Sequence, residues 1–186
     1  MKTGVEKLTD VMAHFLGHTA IRLPDDVIAK LEELRDKEDH PLAKVIYRTM
    51  FRNQMLAEEL HRPSCQDTGV PQYWVRCGTA FPYINELEDL LREATIQATF
   101  ETPLRHNSVE TFDEYNTGKN VGKGTPTVWW DIIPHSDQCE IYTYLSGGGC
   151  SLPGCATVLM PGEGYEGIVK FVMDRMTSYG LNACPP

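Results

Sequence analysis

Thr127-Val128-Trp129-Trp130-Asp131-Ile132-Ile133 and Glu140-Ile141-Tyr142-Thr143-Tyr144-Leu145 decide the fold class. Both are rich in branched and aromatic residues, which fit a pleated, half-buried surface. Pro134 to Gln138 between them is turn-forming, so two strands are predicted with a tight link. Upstream, Tyr73-Trp74-Val75 has the same character and predicts another strand. Downstream, Ala156 to Met160 reads as one more short strand.

Outside these segments the periodicity is helical. Met1 to Phe15 carries Glu6 and Asp10 among apolar residues, an amphipathic helix pattern. Val27, Ile28, Leu31 and Leu34 recur at helical spacing after Pro24-Asp25, a favourable start. Leu42, Val45, Ile46, Met50 and Leu56 mark a helix entered through Pro41, and the charged run Arg35 to Asp39 between the two reads as a solvated helix end. Leu87, Leu90, Leu91, Ala94 and Ala98 predict a helix, and Ile168, Val169, Val172 and Met176 a last one, stopped near Gly180. Helices first and strands later predict an α+β fold, with N-terminal helices packed on a small mixed or antiparallel sheet and further helices. The expected organisation is one domain over 1–186, helical over 1–60 and mixed over 61–186.

The composition removes several function classes. A chain of 186 residues can bury a real core. Its net charge of −9 repels phosphates, so nucleic acid is not an expected partner. An anionic substrate would need a local cluster of Arg or Lys. No apolar run approaches the about 18–20 residues of a membrane span, and the charged N-terminal helix is not an export signal; the expected place is the cytoplasm. There thiols stay reduced, so six cysteines do not imply three disulfides. None forms a Cys-x-x-Cys pair, which argues against a structural zinc knuckle.

Residues 102–126 are rich in Asn, Gly, Thr and Pro with little periodicity, and a long irregular stretch in a compact domain is often functional. Four features carry possible chemistry. Cys65-Gln66-Asp67 sets a thiol beside an amide and a carboxylate; alone, the thiol reads first as buried in a turn and the carboxylate as a turn or helix cap, and only their adjacency raises the functional reading. Arg105 in Leu104-Arg105-His106-Asn107 is either solvated or a bidentate clamp for a carboxylate, and His106 is left unassigned. Gly147-Gly148-Gly149 is a mobile loop or a place of close backbone approach to an anion. Cys184 precedes Pro185-Pro186, which forces extended backbone. Asn116-Thr117-Gly118-Lys119-Asn120 lacks the spacing and the hydroxyl residue of a phosphate loop, so a nucleotide site is rejected.

Taken together, several segments resemble one family: the α subunit, or N-terminal domain, of class I iron–sulfur fumarases and the related L(+)-tartrate dehydratases. They are Arg62-Pro63-Ser64-Cys65-Gln66-Asp67-Thr68-Gly69, Leu104-Arg105-His106-Asn107, Asn116-Thr117-Gly118-Lys119-Asn120, Gly147-Gly148-Gly149, Met160-Pro161-Gly162-Glu163-Gly164 and Ala183-Cys184-Pro185-Pro186. They occur in family order across nearly the whole chain. The resemblance implies a [4Fe–4S] cluster on three cysteines, two of them Cys65 and Cys184, with the third beyond Pro186. It implies that the chain is C-terminally incomplete, inactive alone and without a complete cluster. Cys77, Cys139, Cys150 and Cys155 do not match ligand positions and are expected to be structural. Three thiolates on four irons leave one iron open to act as a Lewis acid on a hydroxy diacid.

By the same resemblance Gln66, Asp67, Arg105 and Gly148 line the substrate site, with Asp67 part of the base machinery and Arg105 on a carboxylate. A β subunit is implied as partner in a hetero-oligomer. The triple glycine runs into Cys150-Ser151-Leu152-Pro153-Gly154, where a fumarase would carry a Ser-Glu-Asn type of segment. With Trp130-Asp131-Ile132-Ile133-Pro134, this favours L(+)-tartrate over fumarate or another hydroxy diacid. The alternative from a different class is a cluster-free binding module on the same fold.

Overall fold

The computed structural model describes residues 2–110 and 112–179. Gly180, Cys184 and the side chain of Cys150 lie outside the described residues. The fold is α+β, in the order α1 (Gly4–Ile21), α2 (Asp25–Lys37), α3 (Pro41–Leu60), β1 (Val70–Gly78), α4 (Leu87–Glu101), β2 (Val109–Glu110), β3 (Tyr115–Asn116), β4 (Thr127–Ile133), β5 (Cys139–Ser146), α5 (Gly148–Ser151) and α6 (Gly164–Tyr179). Two compact units result, Met1–Leu145 and Ser146–Pro186. None of the described helices is long and apolar enough to cross a membrane.

In the first unit, α1 starts on a capping box: Thr3 Oγ1 accepts from the Glu6 N–H, and Glu6 Oε2 accepts from the Thr3 N–H at 2.7 Å. That reciprocal cap fixes the helix start. The helix runs on to Ile21, past the expected end at Phe15. Its Met12, Ala13, Leu16 and Ala20 pack with Leu87, Leu90, Leu91, Ala94 and Ala98 of α4 and with Tyr73, Val75 and Cys77 of β1. Every apolar position that predicted α4 is buried. Gly17 lets the α4 end close in, because a Cβ there would lie 2.3 Å from Thr102 Oγ1. The α2 and α3 helices start where predicted, at Asp25 and Pro41, and Arg35 rests on the ring of Phe51 at 4.7 Å.

The sheet has strand order β4-β1-β5. β1 and β4 are parallel, with Trp74 opposite Trp129 and Arg76 opposite Asp131. β4 and β5 therefore flank β1 and do not pair with each other. The Pro134–Gln138 link passes across the end of β1: Gly78 N–H donates to Gln138 O at 2.8 Å and Ala80 N–H to Ser136 O at 2.8 Å. β5 starts where β1 ends and so runs back along it, which makes the sheet mixed. Gly78 permits this passage, since a Cβ would sit 2.1 Å from Ser136 O. The inner face covers the core; the outer face exposes the stacked Trp74–Trp129 pair (6.4 Å) and the Arg76–Asp131 and Arg76–Glu140 ion pairs.

In the second unit, two expectations are corrected. Gly148 and Gly149 belong to the short helix α5, closed by Ser151 N–H on Gly147 O at 3.0 Å, where a loop was expected. Residues 156–160 form no strand; they are irregular and mostly exposed, with Val158 94% accessible. Met160-Pro161-Gly162-Glu163-Gly164 is a 3-10 turn capped by Glu163, whose Oε2 accepts from Met160 N–H at 2.7 Å, and it leads into α6.

Candidate functional site

The Cys65 segment is positioned by how α3 stops. His61 takes the left-handed conformation (φ 50°), and Arg62 N–H closes the turn on Ala57 O at 3.0 Å. Pro63 then ends any helical continuation. Ser64 is strapped to α1 through its N–H on Ala20 O (2.9 Å), while Asn53 Nδ2 of α3 donates to Ser64 O at 2.5 Å. Cys65 follows as a free, exposed thiol, with Gln66 exposed beside it. Asp67 is half-buried, and its Oδ1 accepts from Gly69 N–H at 3.2 Å, an Asx-type turn. Gly69 needs its positive φ of 83° to turn the chain into β1.

The Arg105 segment leaves α4 through Leu104, which is buried and donates its N–H to Thr99 O at 3.1 Å. Two contacts join it to the Cys65 segment. Arg105 N–H donates to Thr68 Oγ1 at 3.0 Å, and Asn107 Nδ2 donates to Asp67 Oδ1 at 2.6 Å. The Arg105 side chain is exposed and makes no ion pair with another described residue.

The third segment, Asn116–Asn120, closes over the second. Asn116 Nδ2 donates to His106 O at 2.8 Å. Asn120 is fully buried with φ 56°, a left-handed conformation that Asn tolerates better than most residues. Its Oδ1 accepts from Asn107 N–H (2.9 Å) and Ser108 N–H (3.3 Å). Its Nδ2 donates to Arg105 O (3.0 Å) and Thr99 Oγ1 (3.2 Å). One amide thus satisfies both sides of the Arg105–Ser108 turn and ties it to α4.

The structure brings Cys65, Gln66, Asp67 and Arg105 into one neighbourhood of the first unit. Gly148 lies in the second unit, as the first residue of α5, and is exposed. Cys184 lies outside the described residues. Cys77 and Cys139 belong to the core instead: Cys77 is fully buried on β1, and burial together with the neighbouring Cys77 thiol pushes Cys139 up to about 12. Cys155 is an exposed free thiol of the second unit. Sequence reasoning missed Thr68, Asn107 and Asn120. Their only signal was position: two asparagines in a Gly-rich irregular stretch, a residue type that bonds backbone locally.

The three segments together carry Arg62, Arg105 and Lys119 and a single acid, Asp67, in a chain of net charge −9. This is the local basic excess that an anionic ligand requires. Among the described residues no group of three or more His, Cys, Asp or Glu side chains is arranged to hold a metal ion. Cys65 is a free, exposed thiol set on a turn held by hydrogen bonds to its neighbours, so its sulfur is accessible to a ligand. A separate cavity of about 460 Å³ between α1 and the ends of α3 and α4 is lined by His14, His18, Arg22, His61, Glu58 and Glu101. It includes none of Cys65, Asp67 and Arg105.

A family model described as fumarate hydratase (Fumerase) matches residues 9–186. The chain is 52% identical over 182 residues to L(+)-tartrate dehydratase subunit alpha of Escherichia coli K12, covering 98% of this chain and 60% of the relative. The same identity and coverage hold for the subunit of that name from Shigella boydii. A protein of Methanocaldococcus jannaschii, provisionally named as the same subunit, is 33% identical over 183 residues, covering 97% of this chain and 64% of the relative. The chain spans about three fifths of the length of these curated relatives.

Proposed function

The chain belongs to the fumarate hydratase (Fumerase) family, and from that premise we propose that it is the α-subunit part of an iron–sulfur hydro-lyase acting on a 2-hydroxy dicarboxylic acid, foremost L(+)-tartrate, which it converts to oxaloacetate. The observation that carries this reading is the joining of the Cys65-Gln66-Asp67 turn to the Arg105 turn, through Asn107 on Asp67 and Arg105 on Thr68. The segments that carry a thiol, a carboxylate and a guanidinium without an ion pair among the described residues are thereby joined. The preference for tartrate rests on the relatives named for that substrate and on Cys150-Ser151-Leu152-Pro153-Gly154 after the glycines.

Cys65 and Cys184 would each hold the cluster through a thiolate, with a third cysteine beyond Pro186. When bound, the cluster supplies Lewis-acid stabilisation of the departing hydroxyl. Arg105 binds one substrate carboxylate with its planar fork of donors. Gln66 orients the substrate by hydrogen bonding, and the Gly148 backbone approaches it closely. Asp67 belongs to the machinery that takes the proton from the carbon next to the one that loses hydroxide. Loss of both from tartrate leaves an enol, which becomes the ketone of oxaloacetate. The remaining groups come from a β subunit; the relatives' designation as subunit alpha supports such a partner.

The test is anaerobic co-expression of the full-length chain with its β subunit. Iron and sulfide are then assayed, with turnover of L- and D-tartrate, malate, fumarate and mesaconate. L-tartrate is expected to be the best substrate. Faster turnover of malate and fumarate would move the enzyme to the fumarase branch. Absence of both cluster and turnover would leave a cluster-free binding module.

A further inference from the structure

We propose that Asn107 is a positioning residue for Asp67, held in place by the buried amide of Asn120. This deepens, and rests on, the hydro-lyase reading above. Asn107 Nδ2 donates to Asp67 Oδ1 at 2.6 Å, on the same oxygen that accepts from Gly69 N–H at 3.2 Å. Two donors converging on one carboxylate oxygen restrict the rotation of the carboxyl group about its Cβ–Cγ bond. Oδ1 is committed to the protein, and the orientation of Oδ2 follows from it. A group that must meet a proton within hydrogen-bond reach gains from such restriction.

Asn107 can restrict Asp67 only because its own backbone is fixed. Asn120 Oδ1 accepts from its N–H at 2.9 Å, and Asn120 Nδ2 holds the Arg105 carbonyl two residues earlier at 3.0 Å. Asn120 is fully buried and uses both ends of its amide, so the frame is rigid relative to α4. Arg105 has its own ties, to Thr68 and to Asn120. Removing the Asn107 side chain therefore leaves the carboxylate clamp of Arg105 in place and takes the shorter of the two described bonds from Asp67 Oδ1. Asn107 touches Asp67 and acts through it.

The experiment uses the full α/β assembly. Wild type, Asp67→Asn, Asn107→Leu and Asn107→Asp are compared in iron content, melting temperature, kcat, KM and the Kd of the non-reacting dicarboxylate succinate. A hydrogen bond to a charged group sets the scale of the loss. Asn107→Leu keeps the volume and removes the donor. Its kcat is expected to fall about 10- to 100-fold, with KM and the succinate Kd within about threefold and iron unchanged. Asn107→Asp keeps the shape but puts a carboxylate against Asp67. Positioning predicts a loss at least as large as for Leu, whereas a packing role predicts that Asp is the milder change. Wild-type activity with Asp67→Asn inactive and both Asn107 variants within threefold of wild type in kcat would overturn the assignment. An assembly in which wild type itself shows no hydro-lyase turnover would overturn the functional reading, and the assignment with it.

Discussion

Cys65 and Cys77 are twelve residues apart in sequence and lie in two different kinds of environment. Cys65 is exposed on a turn made of side-chain-to-backbone hydrogen bonds, beside Asp67 and the Arg105 segment. Cys77 is fully buried on β1, between apolar residues of α1 and α4 and the neighbouring Cys139. The first region is held by polar groups and leaves its thiol and guanidinium open. The second is held by apolar burial and leaves nothing open. A thiol's chemistry follows from the bonds that shape its surroundings, since an exposed thiol can form a thiolate and a buried one behaves as a small hydrophobe.

That contrast breaks most readily at Arg105. Arg105→Leu in the full assembly is expected to lower kcat/KM about 100- to 1,000-fold, mainly through KM, with the melting temperature unchanged, because the backbone ties of the turn survive. Next is the frame of the site. Asn120→Ala takes the acceptor from the buried Ser108 N–H and leaves Asn107 N–H and the Arg105 carbonyl only their bond to each other, at a cost of about 1–3 kcal/mol read from denaturant unfolding, with kcat and KM both affected. Cys77→Ser puts a hydroxyl into the core and is expected to cost about 1–3 kcal/mol while sparing most turnover.

A smaller effect concerns alkaline pH. Tyr73 is pushed up to about 12 by burial, against an ordinary 10.0, and its bond to Thr95 only partly opposes this. Below pH 10 its hydroxyl is protonated in both folded and unfolded chains. Between about 10 and 12 the unfolded chain releases the proton first, so stability falls as pH rises. Cys139, also pushed up to about 12, acts in the same direction, so urea titrations across that window are expected to show a falling midpoint, and Tyr73→Phe to lessen the fall without abolishing it. Smallest of all, Arg76→Ala breaks exposed ion pairs on the outer sheet face, and the melting temperature is expected not to move.

The parts of the fold governed by local rules were legible in the sequence. Pro24 and Pro41 announced α2 and α3, the apolar stripe Leu87 to Ala98 announced α4, and branched and aromatic residues delimited β4 to the residue. Non-local choices were not legible. The placing of β1 between β4 and β5 depends on Gly78 admitting the Pro134–Gln138 link, a contact between residues more than fifty positions apart. An apolar run at 156–160 looked like a strand because pattern alone does not report whether an edge is available. For the site, Cys65, Asp67 and Arg105 could be picked out by residue type and resemblance. Asn107 and Asn120 could not, because their role lies in what they bond across 40 and 15 residues, to Asp67 and to Arg105.

The proposed function requires the Cys65 turn to hold a cluster and the Cys77 position to hold none. The most direct measurement is iron content together with L-tartrate turnover of the full α/β assembly carrying Cys65→Ser or Cys77→Ser. Loss of turnover and of cluster iron in Cys65→Ser, with both largely retained in Cys77→Ser, is the predicted result. Equal loss in the two variants, or full retention of iron and turnover in Cys65→Ser, would contradict it.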